Sequence, residues 1–299
     1  MANSQPEKSP LETYGKIGII GYPVRHSLSP IFQQAAFHDR KLNLLYEIWE
    51  TPPDKLESVV ASMRSSNIYG ANVTMPFKET IIPLLDSIDQ SADLVGAVNT
   101  VVKSEGQLIG HNTDGTGFLE ALSDLGLTPE GQTIMIIGAG GAARSIAFAL
   151  SQKQPSCLII ANRDEGRAIN LAKSLKATAY NAMIPIAFTK TTLQEWVPKC
   201  DVLINATSIG MYPDADISPI PDKLIKSNMF VYDLVYNPIE TVLVKKAKMR
   251  GAVATGGLSM LIYQGAHAFT LWTGIPAPRD LMMQTIEAYI AHQKPNTKD

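Results

Sequence analysis

The sequence predicts an α/β protein of two domains, and three observations carry the prediction. Short apolar runs alternate with amphipathic segments of helical spacing through most of the chain, which is how strands alternate with the helices that cover the faces of a parallel sheet. A glycine-rich stretch, Gly138-Ala139-Gly140-Gly141-Ala142-Ala143, falls directly between one such run and one such segment. The chain has 299 residues, 45% hydrophobic and 18% charged, enough for about two domains whose cores need no disulfide or metal.

The elements follow in order. Lys16–Gly21 reads as a short buried strand, and the segment from Ser29 to Arg40 has helical spacing. Leu44–Trp49 is the next strand, Pro53–Ser65 a helix and Tyr69–Thr74 a third strand. Residues 86–90 lead to a strand over Gly96–Val102, and Gln107 opens a further extended run towards Asp114. The second half repeats the alternation: strand Thr133–Ile137, helix Ala142–Ser151, strand Cys157–Ala161, helix Gly166–Leu175, then strands Val202–Asn205 and Met229–Leu234. From Gly256 onward the pattern is mostly helical, with Pro276 and Pro278 marking a break. The junctions between domains are expected near Asn112–Gly115 and Thr255–Gly257, where glycines sit beside polar residues.

Composition removes several function classes. The formal net charge is −2, so no long-range basic field draws in nucleic acid, and an anionic ligand has to be held by local groups. The two cysteines, Cys157 and Cys200, make neither a disulfide framework nor a zinc site and fit a reducing cytoplasm. Five scattered histidines suggest no metal site. The first ten residues hold no apolar signal region. No apolar stretch approaches a membrane span. The polar first dozen residues and the tail from His292 read as frayed ends.

The glycine-rich stretch fits G-x-G-x-x-A in the context that gives the pattern meaning, after a strand and before a helix. Gly138 allows the tight turn, Gly140 lets backbone approach a pyrophosphate, and Ala143 lets helix and strand pack closely. The helix start adds free N–H groups and partial positive charge. The second half is therefore expected to be a Rossmann-type dinucleotide-binding domain. The following strand ends in Asn162-Arg163-Asp164-Glu165-Gly166-Arg167, with no carboxylate at the first position. Arg163 and Arg167 suit a 2′-phosphate, and Asn162 suits the ribose or adenosine edge. Asp164 suits an unphosphorylated ribose instead. The turn favours NADP and leaves NAD open.

Three polar segments stand where strands end. In His26-Ser27-Leu28-Ser29-Pro30, Pro30 pre-sets the first helical turn and makes Ser29 the expected N-cap. Ser27 and Ser29, two apart in an extended stretch, point their hydroxyls the same way, which suits a ligand carboxylate. In Asn72-Val73-Thr74-Met75-Pro76-Phe77-Lys78, Lys78 falls at an expected helix start. A cation is out of place there, which points to an amine tuned for proton exchange. In His111-Asn112-Thr113-Asp114-Gly115, Asp114 either caps the next helix or holds the Lys78 amine, 36 residues away.

Together with Gly96–Thr100 (GAVNT), the segment from Asn205 (NATSIGM) and that from Gly256 (GGLSMLIYQGA), these motifs stand in the order seen in shikimate dehydrogenases. The chain resembles that family from about Gly15 to about Ile290. The resemblance implies reversible NADPH-linked reduction of 3-dehydroshikimate to shikimate, in aromatic amino-acid biosynthesis. It implies a substrate-binding domain of residues 1–113 plus 256–299, to which the C-terminal helices return, and a dinucleotide-binding domain of 114–255. Lys78 and Asp114 become the catalytic pair. Ser27, Ser29 and Tyr236 bind the substrate carboxylate, and Thr74, Asn99 and Gln264 hold the ring hydroxyls. Gly138, Ala139, Gly140, Gly141, Ala142, Asn162, Arg163, Asp164 and Arg167 take the cofactor, with Leu234 and Gly257 beside them. The family's turn usually has Thr or Ser where this chain has Asp164; some relatives use NAD and accept quinate. No nucleic acid, membrane or metal is implied, and the chain is expected to be a monomer or a homodimer.

Overall fold

The computed structural model describes residues 14–176 and 180–293. Two six-stranded sheets organise them. The first half runs β1 (Gly15–Gly21), α1 (Ser29–Asp39), β2 (Leu44–Glu50), α2 (Leu56–Ser62), β3 (Ile68–Val73), β4 (Ser87–Ile88), α3 (Gln90–Val95), β5 (Thr100–Ser104) and β6 (Gln107–His111). The second runs α4 (Asp114–Asp124), β7 (Thr133–Ile137), α5 (Gly141–Ser151), β8 (Cys157–Asn162), α6 (Glu165–Lys176), β9 (Met183–Ala187), α7 (Lys190–Trp196), β10 (Val202–Asn205), β11 (Phe230–Asp233), α8 (Val242–Met249) and β12 (Val253–Thr255). Helices α9 (Leu258–Thr273) and α10 (Arg279–Gln293) close the chain. Helix α10 includes His292 and Gln293, two residues into the stretch read as a frayed tail. The rest of that tail and the first dozen residues lie outside the described residues.

The second sheet is parallel throughout, in the order β12-β11-β10-β7-β8-β9. Its strands are apolar on both faces because helices cover both. Along β8, Leu158 and Ile160 enter one core with α5 and α6, while Ile159 and Ala161 enter the other with α7 and α8. The first sheet has the order β2-β1-β3-β5-β6-β4 and departs from the expected parallel pattern. Strand β5 is antiparallel to both β3 and β6. The cause is local: Glu105 (φ +51°) and Gly106 (φ +81°) make a two-residue hairpin between β5 and β6, and such a hairpin can only join antiparallel neighbours. Helices α1, α9 and α10 pack on one face of this sheet through Phe32, Phe37, Ile262, Phe269, Met282 and Ile286. The C-terminal helices thus pack on the sheet built by the first half of the chain.

Chain order reverses twice, and both reversals face the same side. In the second sheet β7, β8 and β9 run outward in one direction and β10, β11 and β12 in the other, so the carboxyl ends of β7 and β10 border a crevice. In the first sheet β2 and β3 flank β1, opening a second crevice after β1 and β3. In α/β sheets ligands sit at such switch points.

Candidate active site

One cavity of about 380 Å³ lies between the two crevices. Its walls are the segments that follow strands: Val24–Ser29 after β1, Thr74–Glu79 after β3, Gly140–Ala142 after β7, Ala206–Ser208 after β10 and Leu234–Asn237 after β11, with Asn99, Asp114 and the α9 residues Met260, Leu261 and Gln264. Backbone hydrogen bonds join the strand exits in pairs: Thr74 to Ile20 and Tyr22 to Met75 in the first sheet, Ala206 to Ile137 in the second.

Lys78 and Asp114 meet in this cavity. The Lys78 Nζ lies 2.5 Å from Asp114 Oδ2, and the two side chains are 14% and 5% exposed. Asp114 Oδ1 accepts from Asn99 Nδ2 at 2.8 Å. The Asn99 amide also donates to Thr113 Oγ1 at 2.8 Å and lies 3.2 Å from Gln264 Oε1. Its Oδ1 accepts from the Thr113 N–H at 2.8 Å. Asn99 and Gln264 are both buried. The carboxylate is thus held on both oxygens, by a cation on one and an amide on the other, in water-poor surroundings where each contact is stronger than at the surface.

Two local premises are corrected. Lys78 does not start a helix; it lies in a turn between β3 and the short 3-10 helix Ile82–Leu84. The helix-dipole reason for suspecting it therefore lapses, and its distinction comes from Asp114. Nor does Asp114 cap α4: it is the first residue of the helix, Thr113 is the capping position, and the carboxylate is turned to Lys78 and Asn99.

The serine segment is likewise built differently from the expectation. Ser29 is not the N-cap of α1; it is the first helical residue, and Leu28 precedes it in helical conformation, not extended. The Ser27 Oγ accepts from the Ser29 N–H at 3.2 Å, so the two serines are tied to each other at the start of the helix. Both serines are buried yet line the cavity. Tyr236, on the same wall, hydrogen-bonds Ser27, and burial raises its phenol above the ordinary value. Behind Ser29, Tyr46 donates to Asn72 Oδ1 at 2.6 Å, and burial raises it further. Thr74 completes this polar wall.

The dinucleotide turn is shaped as its sequence requires. Gly138 has φ +116°, and a β-carbon there would lie 3.0 Å from the Ala206 carbonyl oxygen. Gly140, the residue before α5, would point its β-carbon into open space, and no side chain caps the helix. The first N–H groups of α5 are left for a ligand, and Gly140, Gly141 and Ala142 line the cavity. This cradle fits a dinucleotide phosphate. Leu234 and Gly257 also line it, and a β-carbon on Gly257 would lie 2.2 Å from the Leu234 carbonyl oxygen.

The remaining predicted cofactor residues divide between the cavity wall and its surroundings. Gly138, Ala139, Asn162, Arg163 and Asp164 are not among its lining residues; Arg167 is. Asn162 donates to the Asp164 carbonyl at 2.8 Å, and Asp164 Oδ1 accepts from the Gly166 N–H at 2.9 Å. Arg163 is exposed. Arg167 donates to Glu79 Oε1 at 3.1 Å and reaches the Ala139 carbonyl at 3.4 Å, so it adjoins the glycine-rich turn from the first turn of α6. Glu79, Asn112 and Ser145 drew no attention as site residues. Their signals are hydrogen bonds between distant segments, which no local spacing encodes.

The fold and the cavity define a two-sheet α/β protein with a dinucleotide cradle facing a buried amine–carboxylate pair. Comparison with known proteins narrows the class. Residues 19–101 match the family model for the shikimate dehydrogenase substrate-binding domain, 121–217 that for shikimate/quinate 5-dehydrogenase and 257–287 that for the shikimate 5′-dehydrogenase C-terminal domain. A shikimate dehydrogenase (NADP(+)) of Moorella thermoacetica is 43% identical over 268 residues, covering 90% of this chain and 91% of that one. Its counterpart in Methanocaldococcus jannaschii is 44% identical over 271 residues, covering 90% and 95%. A crystal structure of the Thermus thermophilus shikimate 5-dehydrogenase with NADP(H) and shikimate matches with a TM-score of 0.81 at 36% identity, covering 92% of this chain and 99% of that one. The chain belongs to the shikimate dehydrogenase family.

Proposed function

We propose that the protein is an NADP-dependent shikimate dehydrogenase, an oxidoreductase that reversibly reduces 3-dehydroshikimate to shikimate in aromatic amino-acid biosynthesis. The observation that carries the chemistry is the 2.5 Å contact of Lys78 Nζ with Asp114 Oδ2 in the cavity that the glycine-rich turn also lines. NADP, when bound, supplies or accepts the hydride. The chain's own residues do the rest. Lys78 Nζ gives a proton to the nascent alkoxide in the reducing direction and takes it back from the hydroxyl in the other. Asp114 keeps the amine aimed. Asn99 and Gln264, with Thr74, hold the ring hydroxyls, and Ser27, Ser29 and Tyr236 receive the carboxylate. Positioning supplies the larger part of the acceleration.

On the cofactor side, Gly138–Ala142 cradle the phosphates, with Leu234 and Gly257 beside the nicotinamide. Asn162, Arg163 and Arg167 bind the adenosine half, and Asp164 shapes the turn through its bond to Gly166. Residues 1–113 plus 256–299 form the substrate-binding domain and 114–255 the dinucleotide-binding domain. Among the described residues no helix is long and apolar enough to cross a membrane; we place the enzyme in the cytoplasm, as a monomer or homodimer, with shikimate and 3-dehydroshikimate as its small-molecule partners.

The test is oxidation of shikimate followed at the absorbance of reduced nicotinamide, with NADP and NAD in parallel and quinate as the second acid. Turnover of shikimate with NADP at the higher kcat/KM supports the reading. Preference for quinate with NAD would replace it with a dual quinate/shikimate activity, and no turnover of either acid would leave a ligand-binding protein on this scaffold.

A further inference from the structure

The glycine-rich turn holds two consecutive glycines with different surroundings. A β-carbon on Gly140 would meet nothing within 4 Å. One on Gly141 would lie 2.7 Å from Cβ, 3.0 Å from Cδ and 3.4 Å from Cγ of Lys78. Carbon atoms rest against each other at about 3.5–4 Å, so the space a side chain at 141 would need is already filled by the lysine stem. Backbone conformation does not ask for glycine at 141, which is absent from the positive-φ glycines.

The same helical turn reaches Asp114 by a second route. Ser145 Oγ donates to the Gly141 carbonyl at 2.9 Å and accepts from Asn112 Nδ2 at 2.9 Å. Asn112 Nδ2 also donates to the Ala97 carbonyl at 2.8 Å, and Asn112 Oδ1 accepts from the Asp114 N–H at 3.1 Å. Ser145 and Asn112 are buried.

We propose that the first turn of α5, besides facing the cofactor, is the seat of the Lys78–Asp114 pair, with Gly141 and Ser145 as positioning residues. Gly140 is glycine for the cofactor; Gly141 is glycine for Lys78. The proposal rests on the reading of Lys78 as the proton-transfer residue. A methyl group at 141 pushes the lysine stem off the turn, and a misplacement of about 1 Å at a reacting group costs up to about a hundredfold in rate.

Two measurements test it. In steady-state kinetics with cofactor-binding titrations, Gly141→Ala lowers kcat at least about tenfold and changes the NADP Kd by less than about threefold. Gly140→Ala, whose added β-carbon stands in the open space left for the phosphates, raises the NADP Kd. A Gly141→Ala enzyme with weakened NADP binding and ordinary kcat would overturn the proposal. The second measurement is thermal unfolding of the apoprotein in a double-mutant cycle with Lys78→Gly, which removes the whole stem. Gly141→Ala lowers Tm in the parent chain, and Lys78→Gly restores most of that loss even where Gly141→Ala alone folds poorly. An equal loss in both backgrounds sinks the proposal without touching the role of Lys78. Near-normal turnover by Lys78→Ala sinks that role, whatever the cycle gives.

Discussion

Lys78 and Asp114 differ from the other ion pairs of the protein in where they sit. Lys199–Glu195 and Lys248–Glu240 leave about half of each side chain in water, where a pair is worth roughly 0–1 kcal/mol. Lys78 and Asp114 are largely withdrawn from it, so removing one partner strands the other. Lys78→Ala is expected to lower kcat by at least about a hundredfold with substrate KM changed much less. Ser27→Ala, which removes a hydroxyl assigned to the substrate carboxylate, raises KM more than it lowers kcat. Steady-state kinetics on both variants give the split. Asp233 offers a prediction about stability. It is fully buried between Asn205, Thr241 and the Val235 N–H; burial outweighs these bonds and pushes its carboxyl from 3.8 up to about 6. Between about pH 4 and pH 6 the folded state therefore holds a proton that the unfolded chain has released, and stability falls as pH rises through that window. The shift corresponds to about 3 kcal/mol. Urea unfolding of the parent and of Asp233→Asn at pH 4 and pH 7 is expected to show the parent losing about that much relative to the variant on going to pH 7; parallel pH profiles would contradict it. Lys78 itself was legible in the sequence, though for a reason that proved wrong: the helix assumed to make it unusual is a turn, and the acid that distinguishes it lies 36 residues on.

Long apolar runs gave up their structure easily. Thr133–Ile137 and Val202–Asn205 are the strands read from sequence, and β1, β2, β3, β8 and β11 differ from their readings by a residue at one or both ends. Elements that escaped are short or weakly patterned. Strand β4 has two residues, β12 three and helix α3 six, too few to show a period. Strand β9 carries Pro185, and β9, α7 and α8 went unread. The antiparallel β5 escaped because alternation reports strands and helices, not direction. Helix α3 shows what a short element can still do. It ends at Gly96 in the left-handed region, φ +68°, where a β-carbon would lie 2.8 Å from Arg144 Nη2, and Arg144 Nε donates to the Val95 carbonyl at 2.9 Å. Gly106 has a similar φ of +81° with nothing within 4 Å. Gly106→Ala thus bears the left-handed backbone cost alone, about 1–2 kcal/mol. Gly96→Ala adds a collision with the arginine that ties α5 to α3. Urea midpoints should place Gly96→Ala clearly below Gly106→Ala; equal losses would mean that Arg144 moves aside freely.

The two sheets are joined at their shared cavity by contacts of unequal strength. The inner set, the buried Asn112–Ser145 bond and the half-buried Arg144–Val95 bond, fixes α5 against the end of the first sheet. At the cavity mouth stands Glu79–Arg167, 3.1 Å apart and 41% and 52% exposed. Glu79 follows Lys78 directly, and Arg167 belongs to the turn assigned to the 2′-phosphate of NADP. A phosphate arriving there meets a guanidinium already shared with a carboxylate, and two anions then compete for one cation. An exposed pair of this kind is worth no more than about 1 kcal/mol, which sets the size of the effect at roughly twofold to fivefold in Kd. Glu79→Gln is therefore expected to tighten NADP, and 2′,5′-ADP likewise, by about that factor, while NAD and 5′-ADP bind as before. Titration of the four ligands against parent and variant at fixed low ionic strength decides the matter, since the gain should shrink as salt screens the pair. Weaker NADP binding by Glu79→Gln would instead show that the glutamate aims Arg167 at the phosphate, and an equal change for NAD would remove Arg167 from cofactor discrimination.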